Sequence, residues 1–212
     1  MRQRARLQTY GAIAAISFRN AREYTVDFLM QFVNFPAQLV ALFFVYSIVY
    51  WQAWLFDGSV VIGGFALVQL ISYLYVSIML QRVLPLHEMS RQIERDIDDG
   101  PLVIYLGKPV DYMGHTFFVD LPRALLYLSF GAITYLAGIF LLGLPVPLLV
   151  NIAMFLPLML AAYSIAFLLY FTLALATFWV GRQWWLRQLI ALAILIAGGG
   201  LIPLTFFPPI AQ

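Results

Sequence analysis

Cysteine is absent from the chain, which excludes disulfides, thiolate metal sites and thiol catalysis. Charge is nearly absent as well. Only 10% of the 212 residues are charged, against 63% hydrophobic residues and a mean hydropathy of +0.90. A soluble domain carries about 25% charged residues. This chain therefore lacks the polar surface to cover a water-facing globule, and its apolar surplus must face lipid. The only lysine, Lys108, sits in Leu106-Gly107-Lys108-Pro109, without the upstream glycine spacing or the following Ser/Thr of a phosphate loop. The two histidines, His87 and His115, lie on polar stretches with no metal-site spacing. Ionisable residues are almost missing from the apolar runs after Phe28, which argues against a proton relay or an intramembrane hydrolase. Asp27 and Asp120 stand at the cytoplasmic starts of spans, where a carboxylate complements the helix dipole, and Asp57 suits an outer turn. None of the three needs a transport role.

What is present reads as an all-α, polytopic helical membrane protein with one transmembrane domain over residues 1–212. Met1-Arg2-Gln3-Arg4-Ala5-Arg6 looks like a signal n-region, but Arg19, Arg22 and Glu23 interrupt the stretch behind it, so the segment reads as retained. Residues 7–24 suit an interfacial helix with arginines toward anionic headgroups, or else a simple extension of the first span. Five spans are expected, at 28–51, 60–80, 118–142, 148–179 and 188–202. Pro36 falls near the start of the first, and Tyr46, Tyr50, Trp51 and Trp54 form an aromatic belt at its far end. Gly63-Gly64, Ser72 and Ser77 allow close helix contact in the second. The fourth is long enough to tilt or to kink at Pro157, and Gly181 to Arg187 reads as a basic, Trp-rich interfacial turn. An abundance of Phe and Tyr suits packing and lipid contact, or a wall for an amphiphilic cargo.

Sidedness comes from the cations. With the N-terminus inside, all twelve lie in inner segments: Arg2, Arg4, Arg6, Arg19, Arg22, Arg82, Arg91, Arg95, Lys108, Arg123, Arg182 and Arg187. Residues 86–100 read as an amphipathic helix with Met89, Ile93 and Ile97 as an apolar stripe. The expected ion pairs are three residues apart: Glu88 with Arg91, Arg91 with Glu94, and Arg95 with Asp98. Gly100-Pro101 stops the helix. Docking element and solvated loop are both open on this pattern.

The run Ile93 to Val110, IERDIDDGPLVIYLGKPV, resembles the type-2 class of ABC transporter permeases, where an acidic helix, a glycine and a short apolar stretch lead to Arg- or Lys-Pro-Val. Ser17 to Phe28, SFRNAREYTVDF, is similar to that family's N-terminal interfacial segment, and Ile202 to Gln212, IPLTFFPPIAQ, to its outer Pro-Leu-x-x-Phe-Pro-Pro segment. The resemblance implies that 86–100 is a coupling helix seated in a cleft of a separate ATPase subunit. Its contacts would be Glu88, Arg91, Glu94, Arg95, Asp96, Asp98, Asp99 and Gly100, with Lys108-Pro109 fixing the loop's return. It implies two ATPase copies carrying ATP and Mg, and a second permease, identical or related. Membrane lipids are the other partners, and nucleic acid is not expected. It implies a bacterial-type inner membrane and export of a lipid, a hydrophobic drug-like molecule or a glycan. Gly198, Gly199, Gly200, Pro203, Phe206, Phe207, Pro208 and Pro209 would begin an outer hairpin that helps close the exit, or mark an ordinary helix end. In the family a sixth span comes next. The competing reading is a membrane scaffold or a secondary-transporter subunit, although neither intramembrane charges nor internal repeats favour it.

Overall fold

The computed structural model describes residues 2–23, 25–57, 61–62, 64–84, 86–107, 110–182 and 184–197. Among them the fold is all-α except for one pair of two-residue strands. The order is α1 (Arg2–Glu23), α2 (Thr25–Asp57), β1 (Val61–Ile62), β2 (Phe65–Ala66), α3 (Leu67–Val83), α4 (Leu86–Asp98), α5 (Leu102–Leu106), α6 (Tyr112–Leu142), α7 (Leu149–Leu175), α8 (Thr177–Val180) and α9 (Trp184–Ala197). Stretches long and apolar enough to cross a bilayer fall on α2, on the run Leu67–Asp98 that holds α3 and α4, on α6, and on α7 with α8, and α9 is a shorter apolar helix. The chain divides into two compact units. One holds Met1–Thr25, Val83–Leu126 and Leu149–Ala191; the other holds Val26–Arg82, Tyr127–Leu148 and Leu192–Gln212.

Several local expectations change. Pro36 lies well inside α2 rather than at its start. A long apolar helix tolerates the lost bond because the membrane leaves the backbone no better alternative. The helix of the second span begins only at Leu67, because Gly64 (φ +86) turns the chain in a hairpin pairing Val61 with Ala66 and Ile62 with Phe65. Gly64 thus serves a turn and not a helix contact. α7 continues through Pro157 and breaks instead at Ala176, whose N–H is shared between the Thr172 and Leu173 carbonyls in a tightened turn. The Trp-rich segment is mostly helix, since α9 begins at Trp184 and Gly181 (φ +75) makes the turn. The last part of the fifth run, from Gly198 on, lies outside the described residues.

The core of the first unit is aromatic. Phe167, Tyr170, Phe171 and Ala174 of α7 bury against Met89 and Ile93 of α4, with Tyr112, Phe117 and Ile190 around them. Phe117 is edge-on to Phe167 at 5.0 Å between centroids and packs on Tyr163 at 5.5 Å. α1 joins this unit through Tyr10, stacked on Phe118 at 5.0 Å. Ile16 and Phe18 of α1 stay exposed, which suits a helix lying against lipid.

The second unit is held by a different device. Tyr50 donates to the Phe65 carbonyl at 2.6 Å, above a cluster of Tyr50, Leu70 and Leu74. Between α3 and α6, the fully buried Tyr75 donates to the Gly131 carbonyl at 3.2 Å and stacks on Tyr135. Tyr135 gives its one proton to the Pro145 carbonyl (3.0 Å), so it accepts from Ser72 at 2.6 Å. Helices in lipid gain no hydrophobic drive to associate, so small residues and interhelical hydrogen bonds carry such contacts. Gly131 is the close-approach point, because a Cβ there would collide with Met79 Cγ.

Gly131→Val should therefore lower the stability of the purified protein by about 1–3 kcal/mol through overpacking, measured by thermal unfolding in detergent micelles. Adding Met79→Ala should recover most of the loss. An unchanged melting curve for Gly131→Val would show the contact to be slack.

Candidate functional site

The polar loop folds into α4, and its period decides which side chains turn inward. Met89, Ser90, Ile93 and Glu94 are buried, while Glu88, Arg91, Gln92, Arg95 and Asp99 are exposed. The stripe of Met89, Ile93 and Ile97 packs on α7 and its surroundings. Gly100 (φ +90) ends the helix, and the Val103 N–H reaches back to the Gly100 carbonyl at 3.1 Å, starting α5.

None of the three expected ion pairs within the helix forms. Instead, the acidic residues of α4 and the turn behind it are tied to other elements. Glu88 pairs with Arg123 of α6. Glu94 Oε2 meets Arg187 Nη2 of α9 at 3.1 Å, with side chains only 6% and 4% exposed. Arg187 Nη1 also donates to Ser90 Oγ at 3.4 Å. Asp96 accepts from the Tyr112 hydroxyl of α6 at 2.7 Å. Asp98 accepts from Arg182 Nε at 2.7 Å, and Arg182 Nη2 lies 3.9 Å from Asp99. That hydrogen bond and the Asp98 charge raise the Arg182 pKa above its ordinary value. The physical reason is environment. An exposed pair three or four apart on a helix gains only about 0.2–0.5 kcal/mol, too little to hold Glu88 or Asp98 against a cation of another element, whereas the buried Glu94 carboxylate must find a cation inside the fold.

Asp120 takes a different role from a dipole complement. It lies well past the first turn of α6, is 8% exposed, and accepts from Arg123 Nη2 at 2.5 Å and from the Tyr163 hydroxyl at 3.1 Å. A chain of contacts thus runs from Glu88 through Arg123 and Asp120 to Tyr163, linking α4, α6 and α7. Beside it a cavity of about 20 Å³, lined by Asp96, Tyr105, Tyr112, His115 and Asp120 among others, has room for one water. His115 packs on the Tyr105 ring at 4.9 Å.

Of the residues expected from the sequence to meet a partner, Glu88, Arg91, Arg95, Asp98, Asp99 and Gly100 are exposed. Glu94 faces its own chain, and Asp96 is half-buried on Tyr112. Lys108, Pro109, Gly198, Gly199, Gly200, Pro203, Phe206, Phe207, Pro208 and Pro209 lie outside the described residues. Gln92 is exposed yet borders the cavity beside Asp96 and Asp120, although neither charge nor motif distinguishes it in the sequence. Arg187 and Tyr163 carry no such signal either, because their partners are far along the chain; Asp120 and Arg123 stand three apart, a spacing that could have marked them as a pair but not their further contacts to Tyr163 and Glu88. One feature pointed to the arginines: residues 86–100 hold five acids (Glu88, Glu94, Asp96, Asp98, Asp99) against two bases, Arg91 and Arg95.

Comparison with known families gives a match over residues 36–212 to the model described as ABC-2 family transporter protein. Neither the curated proteins nor the solved structures yield a match.

Arg187→Met should destabilise the protein strongly, by about 3–5 kcal/mol, because it leaves the Glu94 carboxylate buried without a cation. Glu94→Met combined with Arg187→Met should recover much of that loss. Thermal unfolding followed by size-exclusion chromatography reads both, and a double variant as unstable as the single would argue against the pair.

Proposed function

The chain belongs to the ABC-2 family of transporter proteins and is a multi-pass membrane subunit of an ABC transporter; we propose that it is the permease of an exporter driven by a separate ATPase that docks on the outer face of α4. The observation that carries this reading is the two-faced character of α4. Its inner face is fastened to α6 by Glu88–Arg123, to α7 by Met89 and Ile93, and to α9 by Glu94–Arg187. Its outer face presents Arg91, Arg95 and Asp99 with Gly100 behind them. Among the described residues neither Arg91 nor Arg95 makes an ion pair, so both are available to a partner.

A load applied to α4 passes to α7 and α9 through buried contacts, which resist sliding, and to α6 through the more exposed Glu88–Arg123 pair. ATP and Mg sit on the partner, whose closure pushes α4 and reorients the attached spans between inward and outward openings. ATP shifts that balance only by binding the closed state more tightly than the open one. Two ATPases and two permeases make the complex, in a bacterial-type inner membrane with the N-terminus cytoplasmic, as the placement of the twelve cations supports. The cargo belongs to the lipids, hydrophobic drug-like molecules or glycans. Few charges in the spans suit a pathway that does not relay ions.

Reversing the outer face by Arg91→Glu, Arg95→Glu and Asp99→Lys together should abolish co-purification of the ATPase while the permease stays monodisperse. An intact complex in that variant, or a tagged wild-type chain that never retains an ATPase, would overturn the reading.

A further inference from the structure

A groove of about 510 Å³ runs between α2 and α3 within the second unit, and its lining is arranged by chemistry. One end carries Gln38, Gln81 and Arg82; the rest is Ala41, Leu42, Val45, Tyr46 and Ile78. On α2 the lining residues are 38, 41, 42, 45 and 46, a single helical stripe about 12 Å long at 1.5 Å per residue. On α3 they are 78, 81 and 82, again one face. Gln38 lies inside the apolar stretch Phe32–Leu55, where an amide facing hydrocarbon without a partner is costly. Among the described residues no carboxylate pairs with Arg82, in contrast to Arg123, Arg182 and Arg187. A guanidinium and two amides therefore sit at the basic end of a spanning pair, with an apolar trough leading into the bilayer from them.

We propose that this groove binds one anionic phospholipid, its phosphate on Arg82, its glycerol and ester oxygens on Gln38 and Gln81, and one acyl chain along Leu42, Val45, Tyr46 and Ile78. The arginine fork matches a phosphate in a bidentate way, and the trough below it excludes a free phosphate as the natural occupant. A phospholipid carries the acidic group and the apolar chain in one molecule, with its phosphate at the headgroup level that suits Arg82 in the last turn of α3, so it meets both ends of the groove at once. A net negative head is favoured over a zwitterionic one because the latter's own ammonium competes with Arg82. The site stands whether or not the chain is driven by an ATPase.

Native mass spectrometry of the intact, detergent-purified protein, titrated with phosphatidylglycerol and with phosphatidylcholine of identical acyl chains, tests this. Phosphatidylglycerol should bind about tenfold more tightly than phosphatidylcholine. Arg82→Gln should remove that preference and Arg82→Lys should keep most of it. Ala41→Trp, which fills the trough, should abolish binding of both lipids while the elution profile and melting curve stay normal. Three results would each overturn the proposal: equal affinity for the two lipids, binding unaffected by Ala41→Trp (with self-association lost or kept), or displacement of the lipid by glycerol phosphate at equal concentration.

Discussion

Taking a carboxylate and a guanidinium out of water costs several kcal/mol per ion, and the attraction between them offsets it only when the geometry is close and other hydrogen bonds are satisfied. Glu94 and Arg187 meet those terms at 3.1 Å, with Ser90 also within reach of the guanidinium. Because the pair survives only if both members stay together, it sets the orientation of α4 about its own axis. With Glu94 inward, Met89 and Ile93 must face Phe167 and Phe171, and Arg91, Arg95 and Asp99 must face out. The exposed face of α4, on which the proposed docking rests, is thus what the buried pair leaves over.

The same logic sorts the arginines. Arg123, Arg182 and Arg187 are occupied by carboxylates of α4 or the turn after it. Arg91 and Arg95 point away from the fold, and Arg82 borders a lipid-facing groove. One residue type serves as a clamp within the fold and, in the proposed roles, as a docking group and a headgroup contact, depending on what lies opposite. Asp120 extends the clamp, since its two oxygens hold Arg123 and Tyr163 separately and so bind α6 to α7 beside the α4 contact.

The second unit relies on backbone proximity and hydroxyls instead of charge. Tyr75, Ser72 and Tyr135 carry polar atoms between elements, and Gly131 lets α3 and α6 approach. This suits its place in the bilayer, where ionised groups are costly but neutral hydrogen bonds are not. α6 takes part in both units, with Asp120 and Arg123 toward one end and Gly131 and Tyr135 toward the other.

By itself the sequence determined the membrane class, the presence of long apolar helices and the amphipathic period of 86–98, because hydropathy and periodicity are local properties of the chain. Its spacing suggested ion pairs within α4, but the excess of five acids over two bases in residues 86–100 left room for cations from elsewhere. Only the tertiary structure decided which cations those are. Arg187 lies 97 positions from Ser90, and Arg182 lies 84 positions from Asp98, separations that no spacing rule addresses. It also decided that Glu94 faces inward while Arg95, its neighbour, does not, and that Gly64 makes a turn where a helix contact was expected. A helix pattern says that two faces exist. Packing against α7 and α9 says which acid is buried, and that choice separates the clamp from the surface a partner can reach.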